Sequence, residues 1–385
     1  MLKVGIITIQ RSSNYGACLQ CYALYKYIES LGCDCEIIDL HRPGVKHQKY
    51  RPSTCYRPSR YSVKKVIIER FKRLCGKSIE QKYPRSAIRM GKIHNFNNLL
   101  NYSRPYLGPD DIYANPPVYD IFISGSDQLW NPTMNYCLEP YFLTFAPKGS
   151  KKISYATSIG IADLREGEKQ NFKEWLSDYT SISVREKTAQ SLLSSFVSNH
   201  IEQVLDPSFL LSKDEWLNIS VSPQISKPYI LLFTLDYSDA LLEYTMKLKE
   251  ESGLELVYLC WRQPTDSFGN YIVEREAGIE EFLGYIKGAS MVITNSFHGT
   301  AFSLILEVNN FFVYVGHSKR SSRIVDMLAS FSLSDHILTE MDQPYKVLSD
   351  VSIDYQKIRS LIQDDIKRSR GFIKKSLLNG NFSGR

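Results

Sequence analysis

The chain has 385 residues, 43% of them hydrophobic and 23% charged, with a net charge of +6. That length exceeds what one ordinary core serves, so two domains are expected, and the balance excludes a disordered polymer. No apolar run approaches the roughly 20 residues that span a bilayer, and eight scattered cysteines lack the spacing of a disulfide framework or a zinc site, which fits a reducing cytoplasm.

The opening "MLKVGIITIQ" reads as a first strand rather than a secretory leader. "NYGACLQCYALYKYIESLG" follows as an amphipathic helix closed by Gly32, and "CDCEIIDL" is the second strand. Charge then becomes uneven. From His41 to His94 there are 16 Lys and Arg against Glu69 and Glu80, a net +14, which leaves −8 for the remainder. This Tyr-, Arg- and Pro-rich insertion, with one expected helix at "SVKKVIIERFKRLCG", suits an anionic partner such as a phospholipid surface or a lipid diphosphate. A solvated insertion with no partner has the same composition. No nucleic-acid module accompanies it, so nucleic acid is not expected.

Order resumes with "YDIFISGS", "KKISYATSIG", the helix "REGEKQNFKEWLSDY" and the strands "SISVRE" and "QVLDPS". The polar "NISVSPQISKP" reads as a linker. After it the alternation restarts with "YILLFTLD", "LELVYLC", the helix "EEFLGYIKGA", "MVITNS", "FFVYVG" and the helix "RIVDMLASF". The predicted architecture is α/β, two Rossmann-like doubly wound domains with a cleft between them. Its boundaries are 1–217 (with the basic insertion at about 41–110), a linker at 218–228, a second domain at 229–345, and a helical segment at 346–385 that packs back on the first domain.

Several turns carry candidate chemistry. In "TNSFHGTAFSLILEV", His298 stands where a buried strand hands over to a helix opening on Gly299 and Thr300, a position that offers N–H groups to an anion. Arg320 and Arg323 follow the next strand, and such a set suits an anion with more than one charge; His298 can also move protons near neutral pH. "TIQRSSNYGACLQ" lacks the glycines of a dinucleotide or P-loop site, yet Asn14, Tyr15 and Gly16 can form a polar turn. "SGSDQLWNP" combines Gly125, Ser126, Asp127, Gln128 and an aromatic plate at Trp130, chemistry that a sugar ring or a buried network would equally use. Arg185 ends a strand as either a bidentate anion clamp or half of an ion pair with Glu186, and Asp206 before Pro207 reads as a cap. Cys18 and Cys21 fall within a helix, which argues against redox work.

"SNYGACLQCYAL", "ISGSDQLWNP", "YFLTFAP", "KKISYATSIG", "ISVREK", "VLDPSFLL" and "VITNSFHGTAFSLI", in this order, resemble the polysaccharide pyruvyl transferase family over nearly the whole chain. The resemblance implies a GT-B-like fold and transfer of a pyruvyl group from phosphoenolpyruvate to a sugar hydroxyl pair as a cyclic ketal. It implies no metal and no cofactor beyond phosphoenolpyruvate as co-substrate. Under it His298 becomes the catalytic residue. Arg185, Asn295, Ser296, Gly299, Thr300, Arg320 and Arg323 fall on the donor side, and Asn14, Tyr15, Gly16, Ser126, Asp127, Gln128 and Trp130 on the acceptor side. Some relatives carry Arg-Leu-His where this chain has "SFH", so Ser296 stands in place of a cation. A sugar acceptor linked to a lipid diphosphate would bring the protein to the inner face of an anionic membrane. The competing readings are a nucleotide-sugar glycosyltransferase of the same architecture and a non-catalytic sugar-binding component of polysaccharide assembly.

Overall fold

Every paired strand in the described chain runs parallel to its neighbours. The structure is a computed structural model, and it describes residues 1–41, 86–134, 136, 138–235, 237–260, 270–316 and 322–378. Two units divide the described residues: one takes those up to 41, those within Asn97–Leu211 and 363–378; the other takes 86–96 and those within Ser212–Ile362.

The first unit holds β1 (Lys3–Ile7), β2 (Asp34–Ile37), β3 (Ile121–Ser124), β4 (Lys151–Thr157), β5 (Ser181–Val184) and β6 (Ile201–Gln203), in the order β2-β1-β3-β4-β5-β6. The second holds β7 (Tyr229–Phe233), β8 (Glu255–Leu259), β9 (Ile272–Glu274), β10 (Met291–Thr294), β11 (Phe311–Tyr314) and β12 (Ile337–Leu338), in the order β12-β11-β10-β7-β8-β9. Parallel strands need crossovers, and the crossover helices cover both faces of the sheet. That is why "IFIS", "MVIT" and "YILLF" are buried at every position rather than alternating.

Strand order reverses once in each sheet, between β1 and β3 and between β7 and β10. Crossovers on the two sides of a reversal go to opposite faces, which opens a crevice beyond the carboxyl ends of the two strands, the usual ligand position in such sheets. In register, Ile7 pairs with Ser124 in the first sheet and Phe233 with Thr294 in the second, so the loops after these residues border the crevices.

The helix expected in the basic insertion lies outside the described residues. Farther along the insertion, the Ala87–Asn97 helix begins in the second unit, where Lys92 pairs with Glu281, although the sequence suggested the first domain. The polar 218–228 stretch is anchored, since Val221 N–H donates to the Glu280 carbonyl at 3.0 Å. At the far end, the Tyr355–Leu378 helix leaves the second unit at Ile362; beyond it, the Ser369 hydroxyl accepts from Leu205 N–H at 3.0 Å and Arg370 Nε donates to the Leu210 carbonyl at 3.1 Å.

His336 is a buried load on the second unit. Its ring lies between Phe311 and Phe312, with centroids 5.0 and 5.3 Å away, and its Nδ1 bonds the Phe311 carbonyl at 2.7 Å. Burial pushes its pKa down, against the opposing pull of that bond and of Asp335. The unfolded chain therefore takes up a proton that the folded chain refuses. This contribution to stability is present above the ordinary histidine value of about 6.5 and is lost as pH falls below it. Urea unfolding of the wild type from pH 7.5 to 5.5 should show that loss, and His336→Gln, which keeps a donor without titrating, should flatten it.

Candidate active site

In the first unit the chain leaves β1 through Thr8, whose hydroxyl donates to the Ser126 carbonyl at 3.1 Å and accepts from Gln20 Nε2 at 3.1 Å. This fastens the loop after β1 to the loop after β3. Gly125 makes the fastening possible, because a Cβ there would lie 3.0 Å from Thr8 Cβ. The close approach at Gly125 is thus to the chain's own Thr8.

Three non-glycine residues at this carboxyl edge adopt left-handed backbone: Arg11 (φ 48°), Asp127 (φ 72°) and Ala156 (φ 51°). Such conformations cost roughly 1–3 kcal/mol each and persist only where surrounding structure dictates them. Ala156 marks a register shift between β4 and β5, after which the Thr157 hydroxyl donates to the Gly125 carbonyl at 2.8 Å. Asp127 bridges to Thr157, its carbonyl accepts from Ser158 N–H at 2.9 Å, and its Oδ1 accepts from Gln128 N–H at 2.8 Å.

Arg185 stands behind this loop with its side chain only 3% exposed, Nη1 at 2.6 Å from Asp206 and Nε at 3.5 Å from Glu186. Burial opposes its charge, but Asp206, Glu186 and Asp127 outweigh that and hold the guanidinium above its ordinary range. Glu186 also accepts from the Ser158 hydroxyl, and Asp206 Oδ1 caps the Pro207–Leu210 turn through Ser208 N–H at 2.9 Å. Of the two roles open to Arg185, the structure shows the ion pair.

The expected acceptor residues separate into two groups. Asn14 is exposed, capping the Tyr15–Ser30 helix by accepting from Ala17 N–H at 3.2 Å, and Asp127 is half-buried. Tyr15 and Gly16 are buried in that helix. Ser126 is buried with its hydroxyl on the Ala156 carbonyl at 2.8 Å, and Gln128 is buried with Oε1 accepting from Asn131 at 2.8 Å. Trp130 is not a surface plate. It is fully buried, stacked on Phe142 at 4.8 Å, with Nε1–H donating to the Tyr141 carbonyl at 3.1 Å. An aromatic beside polar residues in a loop gave no sign that its indole nitrogen had a carbonyl waiting inside.

Arg11 was not singled out from sequence. Its Nε faces both oxygens of buried Asp39 at 3.3 and 3.2 Å, and its guanidinium lies 4.1 Å over the Tyr102 ring. The available signal was that it is the only cation in "TIQRSSNYG".

In the second unit the turn after β10 is built by its own side chains. Ser296 caps the Phe297–Ile305 helix, accepting from Gly299 N–H at 3.3 Å, and is 2% exposed. The Thr300 hydroxyl donates to the Ser296 carbonyl at 2.9 Å, and Asn295 Oδ1 accepts from Leu235 N–H at 3.2 Å, tying β10's turn to β7's. Ser296 and Thr300 therefore serve the helix start. Gly299 is required by packing, since a Cβ would sit 2.5 Å from Thr294 Oγ1 and 2.9 Å from the Phe233 ring. His298 is half-buried with its ring perpendicular to Phe297 at 5.2 Å, and Arg323 lies 5.8 Å over that Phe297 ring. The structure thus brings His298 and Arg323 to one turn. Arg320 lies outside the described residues.

The fold and these two edges define a class: an α/β two-domain protein with a GT-B-like fold. Arabidopsis thaliana UGT89C1 is similar in structure, with 11% identity, 98% of this chain and 100% of that chain covered, and a TM-score of 0.52. So is the UDP-GlcNAc 2-epimerase from Methanocaldococcus jannaschii, with 11% identity, 99% and 100% covered, and a TM-score of 0.51. Identities this low speak for the fold alone. No curated protein matches the chain in sequence. The polysaccharide pyruvyl transferase family matches residues 14–317, from the start of the Tyr15–Ser30 helix past the His298 turn, and the chain belongs to that family.

Removing one partner of a buried ion pair costs about 3–5 kcal/mol because the other charges stay behind uncompensated. Arg185→Met should therefore lose about that much stability in urea denaturation. Near-wild-type stability would instead mark Arg185 as a clamp awaiting a ligand.

Proposed function

We propose that the protein transfers the pyruvyl group of phosphoenolpyruvate to two hydroxyls of one sugar in a surface-polysaccharide precursor. The observation that carries this reading is the family match over residues 14–317, which includes the His298 turn. The donor has a carboxylate and a phosphate, and the second unit's reversal point offers a helix start, His298 and Arg323 for it. With Ser296 engaged as a cap, Arg323 supplies the cation that an Arg at that position would have given.

The reaction needs no oxidant and no net proton. His298 protonates the methylene carbon of the donor, making a methyl group and an oxocarbenium-like centre. One sugar hydroxyl attacks that centre and loses its proton. Phosphate leaves with the C–O electron pair, and the second hydroxyl closes the ketal. Of the two hydroxyl protons, one replaces that given by His298 and the other departs on phosphate.

The test is phosphate release from phosphoenolpyruvate with galactosyl, mannosyl and N-acetylhexosaminyl acceptors, free and lipid-diphosphate-linked. Acceptor-dependent release with a matching mass gain on the sugar is expected. In His298→Ala release should fall about 10²–10⁴-fold with phosphoenolpyruvate binding retained; turnover near wild type would remove the role.

No helix among the described residues is long and apolar enough to cross a membrane. We assign surface attachment to the +14 segment between His41 and His94. Binding to phosphatidylserine vesicles should weaken steeply between 0.05 and 0.5 M salt, since screening shortens the reach of surface charge from about 14 to 4 Å. Binding indifferent to salt would discard the attachment.

A further inference from the structure

Arg11 is held along one edge and over one face, and its other edge is open. Its loop follows β1, at the reversal of strand order in the first sheet, and precedes residues 14–317, so family membership assigns it no role. Thr8 ties this loop to the one after β3, and Gln10 Nε2 donates to the Leu40 carbonyl at 2.6 Å, which ties it to the one after β2. Asp39, with its side chain 6% exposed, lies along one edge of the guanidinium: Nε is 3.3 and 3.2 Å from its two oxygens and Nη2 is 3.1 Å from one of them. The Tyr102 ring lies under the guanidinium at 4.1 Å. Nη1 makes no hydrogen bond or ion pair among the described residues, and 40% of the side chain is exposed.

The geometry points to Arg11 as the anchor of an anion site in the first unit, one that takes a phosphate ester on the Nη1–Nη2 edge. The site uses first-unit residues alone and stands whether or not the second unit binds phosphoenolpyruvate. A guanidinium carries five N–H donors, and a carboxylate along Nε and Nη2 leaves both of those on Nη1 and one on Nη2. These are the donors that meet an oxyanion two at a time. Asp39 and Tyr102 already fix the fork in its plane, so little side-chain freedom remains to be lost on binding. The backbone at φ 48° is strained, and such strain gathers where ligands bind. Asp39 offsets part of the charge, which disfavours singly charged ligands; a phosphate ester carries about −1.5 to −2 at neutral pH. The segment with net charge +14 begins at His41, two positions after Asp39, and a basic segment joined to the chain here raises the local concentration of multiply charged anions.

Calorimetric titration of the full chain with inorganic pyrophosphate tests the site. Arg11→Lys keeps a cation for Asp39 but has no second edge. Its affinity should fall about 10–100-fold, as expected for a lost charge-assisted hydrogen bond, with Tm near the wild type. Arg11→Met combined with Asp39→Asn removes both charges at once, leaves no buried carboxylate unpaired, and should show the same loss. Repeated in an Arg323→Met background, which removes the second unit's cation, the loss should have the same size. Glucose 1-phosphate and phosphatidic acid vesicles then separate a sugar phosphate from a lipid one: the ligand is the one whose binding Arg11→Lys weakens, and weakening of neither overturns the assignment. Pyrophosphate affinity unchanged in both Arg11 variants, or abolished by Arg323→Met alone, overturns it too while leaving pyruvyl transfer standing. A wild type that binds pyrophosphate through Arg11 but releases no phosphate from phosphoenolpyruvate with any acceptor overturns pyruvyl transfer and leaves this site standing.

Discussion

Arg185 keeps a full positive charge inside the first unit because three acids meet it from three different loops: Asp206 after β6, Glu186 beside it after β5, and Asp127 after β3. A buried guanidinium with too few partners would be strongly destabilising, and a buried carboxylate cluster without it would be equally so. Each member is therefore tolerable only in the presence of the others. The consequence is mechanical. The carboxyl ends of β3, β5 and β6 are held in one relative position, and β4 joins them through Ser158 on Glu186. Loops that would otherwise vary become a rigid edge.

The second unit reaches comparable rigidity by a different route. Its reversal point carries no buried ion cluster among the described residues; it relies on hydroxyls and close contact. The Thr294 hydroxyl donates to the Phe233 carbonyl at 2.7 Å and accepts from Ser296 N–H at 3.1 Å, so one side chain joins β7, β10 and the helix start. Gly299 lets that helix settle against both strands. His298 comes between the cap and this contact, and it has little freedom to be anywhere else.

Much of this was legible in the sequence, for reasons that differ by feature. Buried parallel strands announce themselves as short apolar runs, so "YDIFI" and "MVIT" gave both sheets, while β9 and β12, three and two residues long, are too brief for any period to register. Turn positions at strand ends placed His298 and Asp127 at the edges correctly. What sequence could not supply was the direction in which a polar or aromatic side chain is satisfied. Trp130 and Ser126 look like ligand groups until the Tyr141 and Ala156 carbonyls that occupy them are seen. Arg11 had no local mark beyond being its loop's one cation, because its partners, Asp39 and Tyr102, are 28 and 91 positions away along the chain.

The distribution of strain sharpens the contrast between the two edges. Of the six non-glycine residues with left-handed backbone among the described residues, Arg11, Asp127 and Ala156 all lie at the carboxyl edge of the first sheet. In the second unit, Glu307 and Ser332 follow the ends of helices, where a left-handed residue commonly ends the last turn. Helix termination explains those two, and it explains none of the three at the first edge. Ala156 is the most telling, since it has no side-chain hydrogen bond to compensate the conformation. It survives because the bulge it creates delivers Thr157 to Gly125 and Ser158 to Asp127. Strain at β4 is thus used to fix the loop after β3, whose left-handed Asp127 is held at its carbonyl by Ser158 N–H and faces the Arg185 charge.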